Sequence, residues 1–212
     1  RNYKNITLDQ LKGTQAKEFN AGIILKTNHL KEILPIRTYS ELLFMLDDLK
    51  TCKMDVEEAA TDIAGSSLIE FLNKRHKGSE QYYFRIELKS KLPLDKKSAF
   101  TKKLGNEITR LTSQKLINTT SNYEFELRLI ENKEGNFNVL VKLFTLKDER
   151  FLYRKNSIAA SIQPVNAAFL TALAKDYMKE DAQVLDPFCG VGTMLIERNY
   201  LVPANTMYGL DI

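Results

Sequence analysis

The sequence predicts a mixed fold, α/β and α+β, whose last part begins a doubly wound parallel sheet. Two observations lead to this prediction. First, the short apolar run 182–185 passes directly into a glycine-containing turn, 186–193, which is followed by a helical pattern and a second strand, 206–211. A strand, a tight turn, a helix and another strand in this order form a parallel pair with a crossover. Second, strand and helix patterns follow one another upstream without an internal repeat or a low-complexity tract.

The composition is that of an ordinary globular protein, with 43% hydrophobic and 27% charged residues in a chain of 212. This length allows one large domain or two to three small ones. No apolar run approaches the roughly 20 residues that span a bilayer, so we expect no membrane partner. The chain begins with Arg1 and no signal-peptide pattern follows it, so we expect the natural N-terminus to lie further upstream.

Cysteine and histidine are too sparse to predict a metal site or a disulfide framework. Cys52 and Cys189 are the only cysteines, and they lie far apart without CxxC spacing. The two histidines, His29 and His76, lie in separate polar stretches and are interpreted as surface residues. We therefore expect no metal, and a reducing cytoplasmic location.

Positive charge is concentrated in the middle of the chain. The net charge is +4, yet residues 85–155 hold 16 lysines and arginines against nine acidic residues, an excess of +7. The rest of the chain has an excess of three negative charges. This asymmetry favours a polyanionic partner, and a solvated lysine-rich face is the alternative.

The first third predicts short elements of both kinds. Residues 21–25 form one apolar run, and residues 31–36 form another that ends near Pro35. Ser40 is placed to cap a helix through Leu42, Leu43, Leu46 and Leu49, which recur at near-helical spacing. A further helical stretch covers 55–76, which Gly65-Ser66-Ser67 interrupts, so it is one helix or two, ending at Gly78.

The middle predicts a strand, a helix and an antiparallel pair. The strand covers 82–88 and stops before Pro93. Asp95 or Ser98 is expected to cap the helix, whose apolar side carries Phe100, Leu104, Ile108 and Leu111. The same helix carries the basic residues Lys96, Lys97, Lys102, Lys103 and Arg110. The antiparallel pair, 123–130 and 137–146, is joined by a loop with Gly135.

The last part places a helix before the glycine-containing turn. Pro164 suits a first helical turn, and the apolar residues Val165, Ala168, Phe169, Ala172 and Leu173 are expected on one face. A strand over 182–185 and a helix over 194–199 then flank the turn.

The turn itself has the properties of a nucleotide-binding turn. Glycine at positions 190 and 192 lets the backbone approach a ligand closely, and N–H groups of 190–193 can face it from the helix start. Asp186, at a strand end, can bind the polar amino-acid part of a ligand. Asp211 lies 25 residues later and can accept hydrogen bonds from two ribose hydroxyls.

Competing interpretations of the turn have less support. The P-loop pattern GxxxxGK[ST] and the dinucleotide pattern GxGxxG are both absent. Cys189 beside a helix start could be a nucleophile, yet no histidine or asparagine partner is evident nearby, which favours a small residue in a tight turn.

The run 184–197, VLDPFCGVGTMLIE, resembles motif I of the RNA methyltransferases that carry a THUMP domain. Their usual form is LDPFCGSGT, and Val191 stands here where Ser or Thr is common. Gln163-Pro164 resembles the segment that packs beside the cofactor in that family. The resemblance implies S-adenosylmethionine as cofactor. It implies these cofactor-binding residues: Asp186, Pro187, Phe188, Cys189, Gly190, Gly192, Thr193 and Asp211.

The resemblance extends upstream and divides the chain into three parts. Residues 1–50 resemble the ferredoxin-like piece that precedes THUMP domains, residues 51–152 resemble THUMP itself, and 153–212 correspond to the first part of a Rossmann-type methyltransferase domain. In the family the THUMP module binds tRNA or rRNA, which agrees with the positive middle of the chain. The implied RNA-binding residues are Lys96, Lys97, Lys102, Lys103 and Arg110.

The family's catalytic motif, Asp-Pro-Pro-Tyr or Asn-Pro-Pro-Tyr, does not occur in the sequence. We therefore assign no catalytic residue and expect the chain alone to be inactive. The parent activity implied is methylation of an exocyclic base nitrogen, guanine N2, with adenine N6 served by a similar motif. Two alternatives stay open: a non-catalytic RNA-binding module with a vestigial Rossmann fragment, and an enzyme that acts on DNA.

Overall fold

The computed structural model describes residues 4–11, 15–19, 22–75, 80–155 and 158–211. The chain forms two compact units. One unit comprises Leu42–Lys147, and the other combines Arg1–Glu41 with Asp148–Ile212. The resemblance implies a different division, into 1–50, 51–152 and 153–212. That division stays a prediction.

The N-terminal segment contains two short helices and a hairpin. Helix α1 covers Lys4–Gln10, strands β1 (Gln15–Phe19) and β2 (Gly22–Lys26) pair antiparallel, and helix α2 covers Leu30–Ile33. The apolar run predicted over 21–25 supplies β2, although residue 21 itself lies outside the described residues.

The unit Leu42–Lys147 is built on a five-stranded mixed sheet. Its elements are β3 (Thr51–Cys52), α3 (Val56–Gly65), α4 (Leu68–Asn73), β4 (Tyr82–Lys89), α5 (Leu94–Leu111), β5 (Leu116–Asn118), β6 (Phe125–Glu131) and β7 (Phe137–Leu143). The strand order is β3-β7-β6-β4-β5. Strand β4 runs parallel to β5 and β6, whereas β6–β7 and β7–β3 are antiparallel.

The core of this unit lies between one face of the sheet and the helices α3 and α5. Inward residues of the sheet alternate with outward ones, as in β7, where the buried positions are Phe137, Val139, Val141 and Leu143. Ile63 of α3 and Leu104 and Ile108 of α5 belong to the same buried cluster. The amphipathic pattern of α5 thus explains its packing, except at Leu111, which was expected on the buried side and is 39% exposed.

The helix predicted over 42–49 is wrong. Phe44 exchanges two backbone hydrogen bonds of 2.8 Å with Val141 of β7, and the chain then makes a turn at 47–48. Leu46 and Leu49 are buried and form an isolated bridge to each other. The apolar residues of this segment therefore face the core from a chain that turns, not from a helix. Pairing with β7 supplies the backbone hydrogen bonds that a helix would otherwise supply.

The structure also corrects the start of α5 and adds a strand. The helix begins at Leu94 with Pro93 as its N-cap, so Asp95 and Ser98 lie inside it and cap nothing. The Lys97 N–H donates to the Pro93 carbonyl at 3.0 Å, which fixes this start. Strand β5, which the sequence pattern did not indicate, follows α5 and pairs with β4.

Two other predictions for this unit are confirmed. The helical stretch from residue 55 is two helices, α3 and α4, separated at Ser66-Ser67, and Asp55 caps α3 through the N–H groups of Glu57 and Glu58. Gly78, predicted to end the stretch, lies outside the described residues. The β6–β7 hairpin turns at Gly135, which has φ = 79°.

The C-terminal segment contains the predicted parallel pair. Helix α6 covers Pro164–Leu173, a 3₁₀ turn covers Lys175–Tyr177, and β8 (Gln183–Asp186), α7 (Thr193–Leu201) and β9 (Thr206–Gly209) follow. Strands β8 and β9 are parallel. The face predicted for α6 is partly wrong, because Leu173 is 45% exposed, while its buried residues are Pro164, Ala167, Ala168 and Thr171. None of the described helices is long and apolar enough to cross a membrane.

Candidate cofactor site

The turn between β8 and α7 is shaped by two glycines with left-handed backbone. Gly190 has φ = 54° and Gly192 has φ = 74°, values that side chains rarely adopt. A Cβ added at either position would have no atom within 4 Å. The conformation alone therefore requires glycine, and the space beside both residues is open to a ligand.

Backbone hydrogen bonds fix the turn against the residues that follow β9. The Cys189 N–H donates to the Leu210 carbonyl at 2.9 Å, and the Leu210 N–H donates to the Asp186 carbonyl at 2.9 Å. Within the turn, the Gly192 N–H donates to the Cys189 carbonyl at 2.8 Å. The site is thus held by main-chain contacts that do not depend on a ligand.

The two predicted acidic residues both approach this turn. Asp186 Oδ1 accepts the Phe188 N–H at 3.1 Å, and Asp211 Oδ2 accepts the Gly190 N–H at 2.6 Å. The structure therefore brings Asp186 and Asp211 to the carboxyl end of the β8–β9 pair. Among the described residues, the second oxygen of each carboxylate has no protein partner, and so each could accept a hydrogen bond from a ligand.

Cys189 packs as a small residue of the turn. A Cβ added at Gly209 of β9 would lie 2.7 Å from its Sγ, so glycine at 209 makes room for this thiol. Sequence patterns gave no sign of that role for Gly209. The neighbouring Phe188 ring is 79% exposed.

Helix α7 is anchored behind the turn by a buried carboxylate. Glu197 is 1% exposed and accepts two hydrogen bonds of 2.7 Å from Arg37 and one of 2.5 Å from the Tyr153 hydroxyl. The hydrogen bond to Glu197 is the first cause of a raised Arg37 pKa, and burial is the first cause of a raised Tyr153 pKa. The sequence indicated neither partner, because both lie far from Glu197 in the chain.

The start of α7 borders an open cavity of about 340 Å³ lined by Tyr153, Arg154, Lys155, Val191 and Thr193. Thr193, the first residue of α7, is 2% exposed, and its hydroxyl has no hydrogen-bond partner among the described residues. The first N–H groups of a helix also have no partner within it, so this end can accept an anion or a polar ligand group.

These features fit a nucleoside ligand such as S-adenosylmethionine. The glycine turn leaves space for it, and the carboxylates of Asp186 and Asp211 suit an ammonium group and hydroxyl groups. No cluster of three or more His, Cys, Asp or Glu side chains suited to a metal occurs in the part of the chain that the structure describes.

The predicted RNA-binding residues belong to α5 of the other unit. Lys96, Lys102, Lys103 and Arg110 are exposed, and Lys97 is half-buried. Arg110 forms an ion pair with Glu107, so its charge is partly compensated. The structure thus presents these side chains to solvent, and their role stays a prediction.

Comparison with known proteins agrees with the geometry of the turn. Residues 152–208 match the UPF0020 family, an RMKL-like methyltransferase domain. This stretch contains α6, β8, α7 and β9 without its last residue, so the part of the chain that holds the glycine turn is similar to a methyltransferase domain. No curated protein matches the chain.

Two solved structures share the fold. TrmN from Thermus thermophilus has a TM-score of 0.61 and 20% identity over 98% of this chain and 62% of its own length. A predicted N6-adenine-specific DNA methylase from Listeria monocytogenes has a TM-score of 0.54 and 16% identity over 92% of this chain and 50% of its own. This chain therefore spans less than two thirds of either protein.

Proposed function

We propose that the protein is an S-adenosylmethionine-dependent RNA methyltransferase that methylates an exocyclic base nitrogen, the N2 of guanine. The observation that carries the proposal is the glycine turn, with Gly190 and Gly192 in left-handed conformation at the carboxyl end of β8. The turn lies inside the stretch that matches a methyltransferase domain. Ligands of such sheets bind beyond the carboxyl ends of the strands.

The chain's own residues would hold the cofactor in three ways. Asp211 would accept from the ribose hydroxyls with the oxygen that Gly190 does not use. Asp186 would bind the methionyl ammonium with Oδ2, directly or through water, while its Oδ1 still accepts the hydrogen bond from the Phe188 N–H. The N–H groups at the start of α7 would face the ligand's polar end. When bound, the cofactor supplies an electrophilic methyl group.

The unit Leu42–Lys147 would hold RNA as a THUMP-like module. Its helix α5 presents Lys96, Lys102 and Lys103 to solvent, and residues 85–147 of this unit hold 13 lysines and arginines against seven acidic residues, an excess of +6 that favours a polyanion. Phosphate contacts of this kind position a nucleic acid without reading its sequence. The ferredoxin-like N-terminal piece, the choice between tRNA and rRNA and the cytoplasmic location are parts of the same proposal.

A second candidate function keeps RNA binding without catalysis. The alternative is a non-catalytic RNA-binding module whose Rossmann fragment is vestigial. Cofactor binding separates the two, because a vestigial fragment has no reason to keep a ligand site.

Photo-cross-linking of methyl-labelled S-adenosylmethionine to the chain, followed by peptide mapping, tests the cofactor site. We expect label on the peptide that contains 186–193, suppressed by S-adenosylhomocysteine and unaffected by ATP. The cross-link captures weak complexes, which suits a chain that spans only part of its structural relatives. Absence of label on that peptide would favour the vestigial fragment, and suppression by ATP would indicate a different nucleotide.

Competition between tRNA and duplex DNA tests the substrate class. We expect tRNA to bind more tightly and its affinity to fall steeply with salt, because phosphate contacts release counterions. A Lys102→Ala/Lys103→Ala variant should show a smaller salt slope, whereas the matched variant Lys175→Ala/Lys179→Ala, in the other unit, should bind as the parent does. A salt-independent affinity, or preference for duplex DNA, would contradict RNA as the partner.

A further inference from the structure

One end of the sheet in the unit Leu42–Lys147 exposes aromatic rings around an arginine. Tyr83 and Arg85 occupy outward positions of β4, where they alternate with the buried Tyr82 and Phe84. Tyr123 precedes β6 and Phe144 follows β7, at the same end of the sheet. We call Tyr83, Arg85, Tyr123 and Phe144 the aromatic patch.

Three side chains of the aromatic patch are in contact with one another, and Tyr83 lies two residues before Arg85 on the same face of β4. The Arg85 guanidinium lies 4.5 Å from the centroid of the Tyr123 ring and 5.5 Å from that of Phe144. The two rings meet edge to face, with centroids 4.9 Å apart. The ammonium of Lys142 lies 5.2 Å from the Phe144 centroid, which adds a second cation at the rim.

The arginine of the patch is held in one orientation. The Glu126 carboxylate, fully buried, accepts hydrogen bonds of 2.8 and 2.6 Å from Arg85 through Oε2. Its Oε1 accepts two more from Arg128, at 2.8 and 2.6 Å. One carboxylate is thus shared by two guanidinium groups, which fixes the Arg85 plane and leaves these three groups with one positive charge in excess. The Glu124 carboxylate, which accepts the Tyr83 N–H at 2.9 Å, adds a negative charge beside the patch.

Two rings of the aromatic patch are partly accessible to solvent. Tyr83 is 40% exposed and Phe144 is 38% exposed, beside an Arg85 side chain that is 38% exposed. Aromatic rings are ordinarily buried because of their large apolar area. Unpaired bases stack on aromatic rings and on guanidinium planes, and both are accessible here side by side. Phosphates are attracted to the neighbouring cations.

We propose that the aromatic patch binds unpaired nucleotides of RNA by base stacking. The inference rests on the proposed RNA-binding function and names a surface for it that the lysine pattern did not indicate. The patch lies on the sheet face opposite α5, because its residues alternate with the core residues that α5 covers. The stacking surface and the α5 lysines therefore act as two separate contacts.

A tryptophan placed in the patch reports on stacking directly. The chain has no tryptophan, so Tyr83→Trp introduces a single indole fluorophore at a half-exposed position. This variant is titrated with a single-stranded oligoribonucleotide and with an abasic oligomer of the same length and charge. We expect the base-bearing strand to quench the fluorescence and bind more tightly, and the abasic strand to leave the fluorescence unchanged.

Single substitutions measure the contribution of each ring. Phe144→Ala should weaken binding of the base-bearing strand by about 5-fold to 150-fold, the range for loss of one stacked base, with little effect on the abasic strand. Arg85→Lys, which keeps the charge and loses the plane, should act in the same direction. Tyr177→Ala, which removes an 89% exposed ring of the other unit, is the matched control and should bind as the parent does. Circular dichroism establishes that each variant folds.

The outcomes separate this inference from the proposed function. If RNA binds but Phe144→Ala and the abasic strand change nothing, the aromatic patch is not a stacking surface, and RNA binding through α5 stands. Equal quenching by an RNA duplex would also overturn stacking of unpaired bases. If no RNA binds to the chain, the inference and the RNA part of the proposed function fail together.

Discussion

Arg37 and Glu197, 160 residues apart in the sequence, form a bidentate ion pair with two N–O distances of 2.7 Å. The Glu197 side chain is 1% exposed and that of Arg37 is 22% exposed. The Arg37 guanidinium also lies 4.7 Å from the Phe151 ring centroid and 4.3 Å from that of Tyr200. The pair joins the N-terminal segment to α7, the helix whose first turn borders the candidate cofactor site.

Breaking this ion pair from one side should destabilise the protein strongly. Arg37→Met leaves a buried carboxylate without its cation, which typically costs about 3–5 kcal/mol. The double variant Arg37→Met/Glu197→Met should recover much of that loss, because no uncompensated charge remains. Urea unfolding monitored by circular dichroism measures both variants. Equal stability of Arg37→Met and the parent would show that the pair is not desolvated in solution.

The ion pair between Arg150 and Asp148 makes the stability of the protein depend on pH. Arg150 donates to the carbonyls of Ile36 and Tyr39 at 2.8 Å, and its ion pair with Asp148 orients it. The Arg150 side chain, by hydrogen bonding, holds the pKa of Asp148 below its ordinary value of 3.8. A carboxyl whose pKa is lower in the folded than in the unfolded protein stabilises the fold at pH values above its unfolded-state pKa. This contribution is lost as the pH falls through the folded-state pKa.

Thermal unfolding of the parent and of Asp148→Asn between about pH 5 and pH 2 tests this coupling. We expect the parent to lose stability more steeply than the variant below the ordinary pKa of an aspartate. Asp181→Asn, at an exposed position of the same unit, is the control and should follow the parent. Parallel curves for Asp148→Asn and the parent would contradict a stabilising role of the ionised carboxylate.

The elements that the sequence predicted well depend on local patterns. The β8–turn–α7–β9 unit is contiguous, and its glycines, its capping end and its apolar strands can all be recognised within 30 residues. The β6–β7 hairpin has the same property, because alternation and Gly135 mark it locally. The two candidate acidic residues of the site can be picked out for the same reason, since Asp186 ends β8 and Asp211 lies two residues after the end of β9.

The features that the sequence did not predict depend on distant partners. Residues 42–49 form no helix because Phe44 pairs with Val141 of β7, although the apolar spacing of the segment is compatible with a helix. No pattern in the sequence marks Glu126 for burial, yet two arginines make its complete burial possible. The partners of Glu197 were likewise invisible, because an ion pair over 160 residues leaves no periodic signal.

The glycine turn can be tested against a matched glycine elsewhere. Gly192→Ala places a side chain at φ = 74°, and Gly135→Ala does the same at φ = 79° in the β6–β7 hairpin. Each should cost about 1–2 kcal/mol of stability for left-handed backbone. Only Gly192→Ala should also reduce cross-linking of S-adenosylmethionine. Equal loss of cross-linking in both variants would mean that stability, and not the turn, controls ligand binding.

Glycine inside α5 gives a prediction about packing. A Cβ at Gly105 would lie 2.2 Å from Asn118 Nδ2 and 3.0 Å from its Cβ, where β5 crosses the helix. Gly105→Ala should therefore destabilise the unit by about 1–3 kcal/mol in spite of the better helix propensity of alanine. Gly105→Ala/Asn118→Ala should restore stability, and urea unfolding measures both. A stabilised single variant would show that Asn118 moves aside at no cost.

The two cysteines should differ in reactivity, and one of them should report on the candidate site. Burial, with a smaller contribution from Asp62, raises the pKa of the Cys52 thiol to about 12. Cys52 is 4% exposed, whereas Cys189 is partly accessible in the glycine turn. Iodoacetamide at pH 8 should therefore alkylate Cys189 in the folded protein and reach Cys52 only in urea.

Mass spectrometry of the alkylated peptides measures both rates. Saturating S-adenosylhomocysteine should slow alkylation of Cys189, because a ligand seated on the turn covers the thiol, and should leave Cys52 unchanged. Cys189→Ser, which should take up no label when folded, establishes the assignment. Alkylation of Cys189 at the same rate with and without S-adenosylhomocysteine would place the ligand elsewhere, and rapid native labelling of Cys52 would show that the core of the sheet unit opens under these conditions.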